Sequence, residues 1–207
     1  DKAAAKLDPT NEWTDRIAAM VRVEALLAGG AAEWESFPAQ LAKLRAPLTA
    51  QVADRRSSIV RQAAHLLVIL AAELGGEFER EATHFVPELF KCAVITVQII
   101  AESGDFGVRG VLHNCQARHL IPKLCEAASK DRSVKLRCQA TGWLRLVMRE
   151  WDTLGGARNH DARREHDGGD GGYQEGTNCP HTQQLEVVAQ PFGALPHRLQ
   201  GMWTMLA

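Results

Sequence analysis

At 207 residues and 45% hydrophobic, the chain can bury one sizeable core or a short stack of repeats, not several independent domains. Its formal net charge of −1 provides no global field for nucleic acid or a membrane surface. No unbroken apolar run approaches the ~18 residues that span a bilayer.

Helical periodicity dominates from the start. The chain opens Asp1-Lys2 with no charged-then-apolar leader and reads as a fragment whose first helix is cut short. Ile17, Met20, Val21, Val23, Leu26 and Leu27 recur at spacings of three and four, and Gly29-Gly30 predicts the stop. Pro38 opens a segment carrying Leu41, Leu44 and Leu48. A helix from Ser58 carries Ile59, Ala63, Leu66, Leu67 and Leu70 and ends at Gly75-Gly76. Pro87 is expected to begin the next, through Leu89, Phe90, Val94, Val97 and Ile100, and Pro122 one more. Strand signals are nearly absent.

The helices repeat loosely. Each unit reads as a helix, a short polar loop and a second helix opening on an apolar residue beside a long cation. The predicted loops are 52–57, 101–105 and 129–133, followed by Val60-Arg61, Val108-Arg109 and Val134-Lys135; Arg16-Ile17 plays the same part near the start. Such a cation is expected to reach an acid or carbonyl of a neighbouring repeat, and stacked helix pairs of this kind form a solenoid.

The texture changes after Trp151. Up to that residue the chain carries 20 Lys and Arg against 18 Asp and Glu; beyond it, 4 against 7. Residues 152–178 are rich in glycine and poor in large apolar residues, and read as loop or disorder. In 179–207 a weak apolar pattern returns (Leu185, Val187, Val188, Phe192, Leu195, Leu199, Met202, Trp203, Leu206), interrupted by Pro191 and Pro196.

Catalytic and metal chemistry find little support. Cys92, Cys115, Cys125, Cys138 and Cys179 show no CxxC spacing. Four of them sit in apolar helical patterns and are expected to be buried free thiols of a reduced, cytoplasmic compartment. His160 and His166 do not share a helix face, and the glycines beside them build no rigid ligand shell. His65, His84, His113 and His119 read as structural or surface residues. The run Gly168-Gly169-Asp170-Gly171-Gly172 lacks the lysine of a phosphate loop. No serine or cysteine sits in a nucleophile motif, and no cofactor is expected. An enzyme controlled by the His160–Asp167 segment is the weakest reading.

From Asp8 to Trp151 an ordered series of motifs resembles the TOG domain of the CLASP family. It comprises Asp8-Pro9-Thr10-Asn11-Glu12-Trp13-Thr14-Asp15-Arg16, Leu26-Leu27-Ala28-Gly29-Gly30-Ala31-Ala32-Glu33-Trp34 and Asp54-Arg55-Arg56-Ser57-Ser58-Ile59-Val60-Arg61. Val86-Pro87-Glu88-Leu89-Phe90, Glu102-Ser103-Gly104, Leu120-Ile121-Pro122, Ser129-Lys130, Arg137-Cys138 and Arg149-Glu150-Trp151 follow in order. The resemblance implies an all-α fold of HEAT-like repeats over 1–151, stacked as a flat solenoid, with 179–207 as a degenerate terminal repeat. It also implies binding of tubulin or the microtubule lattice by the loop edge, with no nucleic acid, membrane or cofactor, in a monomeric cytoplasmic domain.

The residues that the resemblance assigns to that edge are Asn11, Trp13, Arg55, Arg56, Ser103, Gly104, Lys130 and Arg132. Trp13 lies in a polar context at a helix start and suits an exposed anchor. Arg55, Arg56, Lys130 and Arg132 suit an acidic partner. Ser103-Gly104 is expected to make a turn. Arg61, Arg109, Lys135 and Arg137 read as structural or secondary, with Arg61 and Lys135 committed to salt bridges between repeats. The residues alone leave open a general helical-repeat scaffold for another protein or peptide.

Overall fold

In the computed structural model, which describes residues 2–155, the chain is built of helices joined by short turns. The ends of the helices show why they form where they do. Helix α1 (Lys2–Lys6) is short. Helix α2 (Trp13–Ala28) stops where the Gly29 N–H donates to Ala25 and Leu26, and Gly30 turns left-handed at φ 82°. Helix α3 (Phe37–Val52) carries Pro38 in its first turn, where no amide donor is needed. Helix α4 (Ser57–Leu74) ends on Gly75 at φ 53°. Helices α5 (Glu79–Ala93), α6 (Gln98–Asn114), α7 (Ile121–Lys130) and α8 (Val134–Gly155) complete the array, and no strand occurs among the described residues.

Two expected boundaries are corrected. Pro87 does not begin a helix but lies inside α5. Having no N–H, it leaves the Thr83 carbonyl one turn back without a helical donor, and Lys123 of α7 donates to that oxygen at 3.2 Å. The supposed loop 101–105 is the middle of α6, and the chain instead breaks at 94–97. The reason is a glycine stripe. A Cβ on Gly104 would lie 2.6 Å from the Ala93 nitrogen and 2.8 Å from the Leu89 carbonyl oxygen, and one on Gly107 would lie 2.9 Å from the Leu89 side chain. On Gly110 it would collide with Val68. These glycines bring α6 against α5 and α4; they do not make a turn.

The helices pair as α1/α2, α3/α4, α5/α6 and α7/α8. One layer holds α1, α3, α5 and α7, the other α2, α4, α6 and α8. Helix α4 packs between α2 and α6, and α3 contacts α1 and α5. Ties between successive pairs recur at a nearly constant separation: 38 residues for Arg16–Asp54 and Trp143–Asp105, 40 for Lys123–Thr83 and Lys135–Ile95. That period is the mark of a HEAT-like helical repeat. Within Ser57–Ala93 an 18-residue window reaches a mean hydropathy of 1.4, apolar enough by length and composition alone to cross a membrane. In the fold this stretch is the centre of the core: Ile59, Val60, Ala63, Leu66, Leu67 and Leu70 are 0–1% exposed.

Histidines sit between repeats, as expected of structural residues: His65 Nδ1 is 3.0 Å from Glu24, His119 Nδ1 2.8 Å from Glu79 and His113 Nδ1 3.4 Å from Glu150. Cys92 and Cys115 are buried free thiols, raised by that burial to about 11 and about 12. Cys125 and Cys138 are in no disulfide and are exposed, because they fall off the apolar stripes of α7 and α8 (Leu124 and Ala127; Leu136, Ala140 and Trp143). Cys179, the His160–Asp167 run, and the readings of 156–178 and 179–207 lie outside the described residues.

Candidate functional site

Because successive pairs stack in register, the turns inside the pairs share one edge. They are residues 7–12, 53–56, 94–97 and 131–133. Hydrogen bonds tie each to the next. Gln51 Nε2, 0% exposed, donates to the Leu7 carbonyl at 2.7 Å, while its Oε1 accepts from Arg16 Nη1 at 3.0 Å. The same Arg16 nitrogen lies 2.9 Å from Asp54 Oδ2, and Asp54 Oδ1 accepts the Arg56 N–H at 2.8 Å. The Cys92 thiol, near the third turn, donates to the Val52 carbonyl beside the second. Lys135 Nζ, just past the fourth turn, donates to Ile95 in the third at 3.0 Å.

The first turn is internally braced. Asp8 Oδ1 accepts both the N–H and the hydroxyl of Thr10, and these bonds hold its carboxyl below the usual aspartate value. Asn11 donates its side-chain amide to the Ala5 and Lys6 carbonyls at 2.9 and 3.1 Å, closing α1. Asn11 thus shapes the turn that delivers Trp13, which opens α2 and is 42% exposed. In the second turn Arg55 and Arg56 are exposed. Burial pushes the neighbouring Asp54 carboxyl up, but the Arg56 N–H and then the bond and charge of Arg16 outweigh it and hold it below 3.8. Its charge is therefore committed inward.

Lys130, at the end of α7, and Arg132, within the fourth turn, are exposed. Arg137 braces it, donating to the Asp131 and Arg132 carbonyls at 2.8 and 3.3 Å. Lys135 serves between repeats, as expected, although it pairs with a carbonyl rather than an acid. Arg61 lies half-buried one turn into α4. Arg109 is bonded to Asp105 at 2.8 Å within α6.

Ser103 and Gly104 are not on this edge. Ser103 is 6% exposed and donates its hydroxyl to Ile99, and Gly104 packs on α5. Their place in the rank belongs to Val94-Ile95-Thr96-Val97, where Ile95 is 38%, Val97 49% and the adjoining Ile99 42% exposed. Val134 beside the fourth turn is 63% exposed. The signal for the third turn was the β-branched run itself, which disfavours a helix. The edge thus carries an indole at one end, aliphatic side chains in the third turn, and cations in the second and fourth. Among the described residues no group of three or more His, Cys, Asp or Glu is placed to hold a metal ion.

The family described as CLASP N terminal matches residues 4–169. The chain belongs to the CLASP N-terminal family. A CLIP-associated protein of Arabidopsis thaliana is 46% identical over 151 residues, covering 73% of this chain and 10% of that relative. CLIP-associating protein 1 of Xenopus tropicalis is 32% identical over 147 residues, covering 70% and 10%. Protein STU1 of Mycosarcoma maydis is 25% identical over 159 residues, covering 75% and 12%. The chain spans about a tenth of the length of these relatives. Their aligned stretch is the size of the helical array, so the resemblance read from the motifs of residues 8–151 is a family relationship, and the HEAT-like CLASP fold goes with it.

Proposed function

We propose that this CLASP-family array is a microtubule-associated regulatory domain of the cytoplasm that binds tubulin through the edge formed by its four intra-repeat turns. The observation that carries the reading is the rank itself: turns far apart in sequence are hydrogen-bonded to one another and present Trp13, Arg55, Arg56, Lys130 and Arg132 outward. Tubulin is acidic, so the cations steer encounter and pair at contact. An exposed ion pair contributes only about 0–1 kcal/mol; the indole and the exposed Ile95 and Val97 supply the apolar burial that affinity needs. A stiff row of contacts favours the tubulin conformation whose curvature it matches, and this differential affinity shifts the balance of growth and shrinkage without chemistry at the domain.

The test is cosedimentation of the 207-residue chain with microtubules, alongside gel filtration with free tubulin. Trp13→Ala combined with Arg55→Glu is expected to weaken binding at least tenfold while leaving the helical circular dichroism intact. Unchanged binding of the folded double variant would remove this edge as the contact. Trp34, 55% exposed between α2 and α3 on the other side of the repeats, separates the tubulin reading from a general scaffold. Trp34→Ala is expected to leave tubulin binding unaltered, and a loss there equal to that of Trp13 would favour the scaffold.

A further inference from the structure

The second turn runs directly into Arg55-Arg56-Ser57-Ser58, a pair of arginines three and two residues ahead of a serine. That spacing is the pattern by which basophilic protein kinases recognise their acceptor, two guanidiniums reaching acidic pockets upstream of the hydroxyl. All three side chains that matter are on the surface: Arg55, Arg56 and Ser58 are exposed, whereas Ser57 is half-buried. Arg56 is extended at φ −86°, ψ 118°, and Ser58 is only the second residue of α4, where backbone N–H groups have no intrahelical acceptor.

We propose that Ser58 is the phosphoacceptor of a basophilic serine/threonine kinase and that its phosphorylation cancels the second turn as a cationic contact. The fourth turn has a related sequence, Lys130-Asp131-Arg132-Ser133, but there the Ser133 oxygen already accepts the Leu136 N–H as the cap of α8. Ser58 holds no such capping position. The Ser58 hydroxyl oxygen attacks the γ-phosphorus of ATP; the new O–P bond forms as the bond from that phosphorus to the β,γ-bridging oxygen breaks. ADP leaves, and the hydroxyl proton passes to the kinase's general base. Ile59, next in sequence, is 0% exposed, so transfer to the folded chain proceeds through fraying of the first turn of α4, the low-stability end of a helix.

The product is stable where it stands. A phosphoserine brings about −1.5 to −2 charges at neutral pH, which the positive end of α4 and the adjacent guanidiniums both favour. Arg55 and Arg56 contribute two positive charges to the rank, and Asp54 is already turned inward to Arg16. The modified turn is therefore close to neutral and its arginines are folded onto phosphate. The acceptor assignment stands on sequence and geometry alone; the consequence for tubulin rests on the proposed function of the edge.

The experiment incubates the folded 207-residue chain with ATP and the catalytic subunit of a cyclic-nucleotide-dependent kinase, and maps phosphate by peptide mass spectrometry. Phosphate is expected on Ser58, persisting in Ser57→Ala and lost in Ser58→Ala. Microtubule cosedimentation of the modified chain at low salt is expected to weaken about tenfold, with the difference shrinking as salt rises, while kinase-treated and untreated Ser58→Ala bind alike. No incorporation, or incorporation on Ser57, overturns the acceptor. Phosphate on Ser58 with undiminished binding, or with loss of helical signal, overturns the charge switch. If the unmodified chain fails to bind tubulin at all, the proposed function falls, and the mapped phosphate still decides the acceptor by itself.

Discussion

Arg16 shows how much of the edge depends on single side chains. It is 1% exposed, and its Nη1 serves both Gln51 and Asp54. A buried cation without its counter-charge is costly, so removing Asp54 is worse than the loss of one contact. Asp54→Ala is expected to destabilise the fold by about 3 kcal/mol, near the low end of the range for a broken buried pair, since Asp54 retains 14% side-chain exposure. Chemical denaturation reads this directly. The same variant also frees the Arg56 N–H, so Arg55 and Arg56 lose their fixed position, and the proposed tubulin contact is expected to weaken even at temperatures where the domain stays folded. A variant as stable as the parent would show that Arg16 finds another partner.

At the scale of elements, the joints between helices are made of two materials, glycine contacts that seat α6 on α5 and α4 and ion pairs between repeats, and each has its own signature. Gly104 lies where a Cβ would meet backbone atoms of α5, which cannot swing aside as a side chain does. Gly104→Ala is expected to cost about 1–3 kcal/mol by forcing α6 from α5, measured as a lower denaturation midpoint with unchanged slope. A neutral result would mean that the two helices part freely. The ion pairs respond to acid instead. Arg45 grips Glu81 with two hydrogen bonds, 2.8 and 2.6 Å, and this bond holds the Glu81 carboxyl below its usual 4.5; the bond from His119 does the same for Glu79. Groups with lowered folded values stabilise above their unfolded values and lose that contribution as pH falls through the folded ones. Melting temperature is therefore expected to hold above about pH 4.5 and to drop progressively below it, and Arg45→Met should flatten the drop. An equally steep acid limb in Arg45→Met would assign it elsewhere.

These joints also explain what the sequence did and did not disclose. Apolar spacing along α2 and α4, and the Gly29-Gly30 and Gly75-Gly76 stops, are local signals, so those helices were legible. Trp13 and the two basic groups were legible for the same reason, since a turn's polarity is written in its own residues. Ser103-Gly104-Asp105 misled because glycine is ambiguous by itself. Its use at Gly104 is set by Leu89 and Ala93, residues on another helix. Pro87 misled in the same way: its tolerance inside α5 depends on Lys123, which arrives from α7. With both punctuation marks read as boundaries, the true third turn, Val94–Val97, was hidden inside an apolar run.

For the array of residues 2–155 as a whole, the consequence of repeat architecture is that damage stays local. Each pair contacts only its neighbours, so stability approximates a sum of repeats and of the interfaces between them. One tie of the last interface is Asp105 of α6, whose carboxylate accepts Trp143 Nε1 of α8 at 2.7 Å through one oxygen and, within α6, Arg109 Nε at 2.8 Å through the other. Trp143 is 0% exposed and stacks on Phe90 at 4.8 Å between ring centres, and further along α8 Trp151 Nε1 donates to the Leu112 carbonyl at 3.0 Å. Asp105→Ala leaves a buried indole N–H unpaired, at a cost of about 1–3 kcal/mol. Because α8 is held to α6 through this seam, native-state hydrogen exchange should accelerate in α7 and α8 and in the facing turns of α6. Amides of α2 and α3, at least two interfaces away from α7 and α8, should keep their rates. Uniform acceleration along the array would instead mean that the repeats open as one cooperative block. In that case the edge could not keep its first two turns in place while its last is loosened, and Trp13, Arg55 and Arg56 would lose their presentation together with Lys130 and Arg132.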